Sequence, residues 1–360
     1  MPEGTDRREP PRTQEELKLC QLSHQYLTAP GERLTVVRAL CGLQAQFLSN
    51  ALHALRIRCQ SMDEADATDG LVKNWTLRGT MHVLAESDLP LFLHCGSGEL
   101  YRKNEWQEKN FWNQRDDWAL TPERQRELSS VIIEAAAQRP HTRNELKALC
   151  RARGMNAEEE ASMFDAWGGG LRELCERGFL HYAVGEQKTL VATPTFTPMP
   201  KETAQLEIAR RYFTHYGPAT LHDAAYFLHA RQEEIREWLR QLPAVTVTCA
   251  GKTYYMIPRT RPVVEEMPDC LFLAGFDPLL LGYEKKESLY LPQEHLRGIF
   301  TLTGIVMPSI LLRGRVVGRW KRQGKRVLCT LFEPLEGRAR GMVEEKALSL
   351  WPQSTAVCFQ

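Results

Sequence analysis

Apolar residues recur along this chain first at helical spacing and then at strand spacing, and the alternation repeats. Thr13-Gln14-Glu15-Glu16 fits a capping box, with the acid three residues after the threonine. The helix it predicts carries Leu17, Leu19, Cys20, Leu22 and Leu27 as an apolar stripe, and Pro30-Gly31 ends it. A second helical pattern begins near Leu34, runs through Val36, Val37, Leu40 and Leu43, and meets Gln44-Ala45-Gln46. A third covers Asn50 to Cys59, after which Asn74 to Arg78 and Met81 to Leu84 read as strands.

The order then recurs twice. Thr121 as N-cap with Pro122 at the first helical position opens a helix over Glu123 to Ala137. Thr142 to Glu145 forms another capping box for a helix ending near Arg153, and Met163 to Arg177 reads as a third helix, closed by Gly178. Phe179 to Tyr182 and Thr189 to Val191 make a hairpin around Gly185. In the next round, helices span Glu202 to His215, Thr220 to His229 and Glu233 to Leu242, and the strands Val245 to Thr248 and Thr253 to Met256 meet across Gly251. Three helices followed by a hairpin is the order of a winged helix. The pattern predicts three diverged copies, at residues 15–118, 119–198 and 199–262, behind a disordered tail at 1–14; the alternative is a set of unrelated small mixed domains. After Pro268 short β-type runs take over at Leu271 to Leu273, Ile310 to Leu312, Val316-Val317 and Val327 to Phe332, so residues 263–360 are expected to form a β-rich module. The fold class expected is helix-rich α+β.

A length of 360 residues, 43% of them hydrophobic, allows two or three cores. The ten cysteines contain no C-x-x-C, and the nearest pair, Cys41 and Cys59, is 18 residues apart. Reduced core thiols in a cytoplasmic protein are expected, with no metal and no organic cofactor. The charged, Pro-containing N-terminus has no apolar signal region, and no run approaches the ~18 apolar residues of a membrane span. Nothing suggests a coiled coil, so a monomer with no membrane contact is expected.

The formal net charge of +1 excludes a uniformly basic protein, but it hides an asymmetry. From His295 to Phe332 there is no Asp or Glu, while Arg297, Arg313, Arg315, Arg319, Lys321, Arg322, Lys325 and Arg326 all fall there. Around the hairpin turn at Arg322-Gln323-Gly324-Lys325 these cations suit a phosphate backbone. On a strand Arg313 and Arg315 would share one face, as would Arg319 and Lys321. The alternative is an edge strand protected by cations, which does not require every acid to be absent.

Five segments, taken in order, resemble one family. Gly42-Leu43-Gln44-Ala45-Gln46 resembles the Gln-x-Gln motif of the AlkZ-like DNA glycosylases, and Arg78-Gly79-Thr80-Met81-His82 its Arg-Gly-Thr-x-His segment. Tyr212 through Gly217-Pro218-Ala219-Thr220 to Asp223 is similar to its third winged-helix start, and Phe276 to Tyr283 and Pro308 to Trp320 to its C-terminal module. The resemblance implies tandem winged helices in a C-shaped scaffold around a DNA channel. It implies a monofunctional glycosylase acting on bulky N7-alkylated purines in double-stranded DNA, including interstrand crosslinks in some members. Another branch of the family carries Gln-x-Asp; glutamine at both positions puts this chain with the Gln-x-Gln branch.

Two amides suit that chemistry. An N7-alkylated purine is already cationic and leaves without being protonated, so the catalyst need only hold a water near the anomeric carbon and turn carbonyl dipoles toward the developing positive charge. An amide supplies an acceptor oxygen and two donor hydrogens but is no base at neutral pH. Residues i and i+2 point about 200° apart on a regular helix, so Gln44 and Gln46 can serve one water only from a junction between helices. The plain alternative is two surface glutamines on a helix. Arg78 is expected at a phosphate, or paired with a carboxylate; His82 is expected to line the channel, or to be a satisfied strand histidine. Trp75 reads as core, and Gly168-Gly169-Gly170 as close helix packing, since no P-loop Lys-Ser/Thr follows. A non-catalytic winged-helix regulator would also explain the scaffold and the basic module, but leaves Gln-x-Gln without a purpose.

Overall fold

The structure, a computed structural model, describes residues 9–10, 12–60, 68–76, 79–93, 117–166, 168–185, 187–259 and 266–360. They form two compact units, one of Met1–Met62 with Glu207–Gln360 and one of Asp63–Leu206. The fold is the mixed, helix-rich α+β class.

In the first unit the helix Gln14–His24 starts where the capping box requires: the Thr13 hydroxyl accepts from the Glu16 N–H, and the Glu16 carboxylate accepts from the Thr13 N–H at 2.6 Å. Its apolar stripe buries Leu17, Cys20 and Leu22, and Leu17 joins Val247, Cys249 and Tyr254 of the hairpin Val245–Cys249/Lys252–Met256. Part of the expected N-terminal tail lies outside the described residues. The described part is ordered against that hairpin, the Glu9 and Arg12 N–H groups donating to the Thr246 and Thr248 carbonyls. The edge strand offers unpaired carbonyls, and the tail satisfies them.

The C-terminal part of this unit is a sheet in the order Ala356–Phe359, Arg326–Leu331, Arg315–Gln323, Ser309–Leu312, Cys270–Leu273. The first pair is parallel and the others antiparallel. The module is less purely β than its sequence pattern predicts, because the helix Gly337–Leu350 covers one face. There Val343, Ala347 and Trp351 close over Phe272, Ile310, Val327 and Cys329.

In the second unit the strands run in the order Met81–Ala85, Leu71–Trp75, Leu180–Tyr182, Thr189–Ala192, His141–Thr142. The helices Pro122–Gln138 and Arg143–Ala152 begin at the caps read from the sequence, Thr121 and Thr142. The single helix predicted over Met163 to Arg177 is instead two, Ala157–Met163 and Gly169–Glu176. An Asn156/Glu159 capping box starts the earlier one, and Gly169, at φ +81°, restarts the chain after the break. A Cβ on Gly169 would lie 2.5 Å from the Ser162 carbonyl oxygen, and one on Gly170 would strike Met163 Sδ. These glycines therefore serve helix contact; Trp167 beside them lies outside the described residues.

The described cysteines are free thiols, buried except for the partly exposed Cys358. Burial pushes Cys59 and Cys150 up to about 11 and Cys270 and Cys329 up to about 12, so these stay protonated and behave as small apolar groups. Among the described residues no helix is long and apolar enough to cross a membrane.

Candidate active site and nucleic-acid interface

The helix Arg33–Ala39 stops short of the glutamines. Its C-terminus closes as a Schellman motif: the Gly42 N–H donates to the Val37 carbonyl at 2.9 Å and the Cys41 N–H to the Arg38 carbonyl at 3.2 Å. Cys41 at φ +56° and Gly42 at φ +84° turn the chain into a short strand, Leu43–Gln44, and then a bend at Gln46 and Phe47 before the helix Leu48–Arg56 begins. Along this link Leu43 is buried, Gln44 half-buried, Ala45 buried and Gln46 exposed. Leu43 and Ala45 anchor the junction in the interior, and the two glutamines keep accessible side chains. The glutamine pair thus lies in the non-helical junction between two helices.

The C-terminal module holds this junction in place. On the helix that follows the link, His53 Nε2 lies 2.7 Å from the Phe272 carbonyl, and the ring stacks on Trp351. A Cβ on Gly275 would lie 2.6 Å from the side-chain nitrogen of Asn50 and 3.1 Å from the Val306 carbonyl oxygen, so a larger residue here would displace Asn50. Phe276, at φ +57°, places its ring against Phe47, the centroids 6.2 Å apart and the planes 27° off parallel. A bulky residue in that backbone region is strained by about 1–3 kcal/mol and persists only where its surroundings enforce it. The enforcement is next door: Asp277 accepts from Arg58 through both oxygens, at 2.6 and 3.1 Å, and also from the Leu279 N–H. Both charged side chains are wholly buried. Burial lowers the pKa of His53, keeping it a neutral ring in this packing.

Of the expected phosphate contacts, Arg319 and Lys321 alternate with Gly318 and Trp320 along Arg315–Gln323, exposed on the sheet face opposite the helix Gly337–Leu350. Lys325 and Arg326 extend the exposed cations past the turn, and Arg322 lies over the Trp351 ring at 5.7 Å. Among the described residues none of Arg319, Lys321, Arg322 and Lys325 has a carboxylate partner. Arg313 differs from expectation. It lies in a two-residue turn, Arg313-Gly314, with both φ angles positive, and not on a strand, so no strand face is shared with Arg315. It pairs with Asp269 at 3.3 Å, while among the described residues Arg315 meets only distant acids, Glu294 at 3.9 Å and Glu333 at 3.8 Å.

In the second unit Arg78 lies outside the described residues. His82 is fully buried, with Nδ1 3.1 Å from Thr76 Oγ1 and 3.0 Å from the Thr80 carbonyl. Its burial and these contacts favour a satisfied strand histidine that ties its own hairpin over a channel-lining one. Trp75 is half-buried against the core, with the Arg172 guanidinium 3.8 Å above its ring. Among the described residues no group of three His, Cys, Asp or Glu is arranged to hold a metal ion.

Residues 37–350 match the profile of the family described as DNA glycosylase AlkZ-like, and the chain belongs to that family of DNA repair glycosylases. The regulator alternative falls with this match. The interstrand DNA cross-link repair glycosylase of Streptomyces sahachiroi is 27% identical over 338 residues, spanning 87% of this chain and 88% of its own length. The solved structure of Streptomyces sahachiroi DNA glycosylase AlkZ shares the fold at a TM-score of 0.75 and 23% identity, covering 97% of this chain and 99% of that one.

Proposed function

We propose that this glycosylase hydrolyses the N-glycosidic bond of bulky or cationic N7-alkylated purines in double-stranded DNA, interstrand crosslinks included, with Gln44 and Gln46 as the catalytic pair. The observation that carries this is the non-helical junction between two helices, which leaves both amides accessible. The C1′–N9 bond breaks with its electron pair passing into the purine, which cancels the N7 charge. Water held by the amides forms the new C1′–O bond and releases a proton to solvent. Carbonyl dipoles favour the oxocarbenium-like sugar in between. Neither amide can drive out an uncharged purine, so undamaged DNA is spared.

The exposure of Gln46 suits a lesion too bulky to enter a snug pocket. Arg319, Lys321, Arg322 and Lys325, with Arg313 and Arg315 beside them, supply the phosphate contacts, and Arg78 a further one. Three tandem winged helices in a C-shaped scaffold complete the reading, supported by the repeated helix-and-hairpin order. The test is incubation with duplex carrying N7-methylguanine or a nitrogen-mustard crosslink, followed by alkali. Strand breaks at the abasic sites support the proposal, and intact strands with retained DNA binding overturn it.

A further inference from the structure

Phe47, the residue after Gln46, has 50% of its surface exposed, whereas every other described Phe, Tyr and Trp is buried or half-buried. An exposed aromatic ring at the end of a catalytic link is a poor choice for stability or solubility. The fold nonetheless builds a firm support beneath it. The Phe276 ring, 4% exposed, backs the Phe47 ring in near-parallel stacking. Phe276 is itself fixed by a left-handed backbone, by the close approach of Gly275 to Asn50, by its N–H donating to the Val306 carbonyl at 3.2 Å, and by the Arg58–Asp277 pair. The outcome is a flat apolar face, held from below and open above, one residue from the proposed water-binding amides.

Resting on the function proposed above, we propose that Phe47 stacks on a base of the duplex at the lesion step and holds that step open while the amides work. The chemistry calls for such a group. A paired, stacked nucleotide shields its anomeric carbon, and a purine carrying a bulky or crosslinked substituent cannot rotate fully out of the helix. An aromatic ring that replaces the lost base–base stacking lets the neighbouring step part without extrusion. Every base has a π-face, so this contact adds no sequence preference. A protein partner for Phe47 is disfavoured by its position beside Gln46, where a duplex must lie for the amides to reach a sugar.

The test compares single-turnover excision of N7-methylguanine from two substrates, a fully paired duplex and a duplex in which mismatches flank the lesion and the step is already open. Phe47→Ala should slow excision from the paired duplex about tenfold or more, the scale of one base–aromatic stack, and leave the mismatched substrate nearly as fast as with the wild type. Phe47→Trp should restore the paired-duplex rate and Phe47→Leu should not. Urea unfolding midpoints of the variants show that the fold is retained. The proposal is overturned if Phe47→Ala slows both substrates equally or neither, if Phe47→Leu matches the wild type, or if the wild type cuts the paired duplex but not the mismatched one. Failure of the wild type on both substrates would instead refute the proposed function.

Discussion

Arg58 and Asp277, 219 residues apart in the chain, meet through two hydrogen bonds of 2.6 and 3.1 Å with neither side chain exposed. They bind the end of the helix after the Gln-x-Gln link to the turn that presents Phe276. Arg58 has further acceptors in the Gln25 and Ala54 carbonyls, and Asp277 further donors in the Ala274 and Leu279 N–H groups, so both charges are well satisfied. Removing one partner leaves the other as an uncompensated buried charge, at a cost of about 3–5 kcal/mol. Asp277→Asn should therefore lower the urea unfolding free energy by about 3 kcal/mol or more. Replacing both residues, as Arg58→Met with Asp277→Leu, should recover part of that loss. A single variant as stable as the wild type would show that the pair does not anchor the junction.

Cations on the strand Arg315–Gln323 should contribute to DNA affinity through counterion release. Arg319→Gln and Lys321→Gln should each reduce the slope of log K against log salt by about 0.9. Arg313→Gln should have a smaller effect, since its guanidinium already engages Asp269. Titration of labelled duplex at several salt concentrations measures the slopes. Unchanged slopes in the first two variants would place the DNA elsewhere.

Acid should destabilise the fold through two buried histidines. Burial lowers His24 to about 4 and His215 to about 3, from an ordinary 6.5. Both stay neutral in the fold, with His24 Nδ1 2.7 Å from the Gly217 carbonyl and His215 stacked on Tyr26. The unfolded chain takes up protons as pH falls below about 6.5 and the fold does not, so stability is full above that value and declines as pH falls toward about 4. Each histidine should contribute about 2 kcal/mol of that loss between about pH 7 and about pH 5. His215→Phe, which keeps the ring stacking, should flatten the decline in urea midpoint with pH. An identical decline would exclude His215 as a source.

The helix starts are legible in the sequence because capping chemistry is local: Thr13 with Glu16, Thr121 with Pro122, and Thr142 with Glu145 each lie within one turn. The junction at Gln44 to Gln46 lies where a shared role for the two amides requires it, since residues two apart on a helix point away from each other. Contacts between distant segments are not. Nothing local pairs Arg58 with Asp277, and the stacking of Phe47 depends on a left-handed Phe276 that no sequence pattern announces. The helix Gly337–Leu350 escapes notice because it contains two glycines and buries only Val343 and Ala347, which leaves little periodicity to see. The strand expected at Arg313 gives way to a turn in which Arg313 and Gly314 both have positive φ, a conformation the arginine does not announce. His82 follows the same lesson: its place in a motif does not reveal that it faces inward.

The most direct test of the whole account is excision of N7-methylguanine from duplex DNA by Gln44→Ala and Gln46→Ala, with duplex affinity measured on the same preparations. Each variant should lose cleavage by about a hundredfold or more, the scale of removing a preorganised polar contact to a transition state, while binding DNA as the wild type does. Cleavage that survives in both variants would contradict the assignment of the chemistry to this pair of amides.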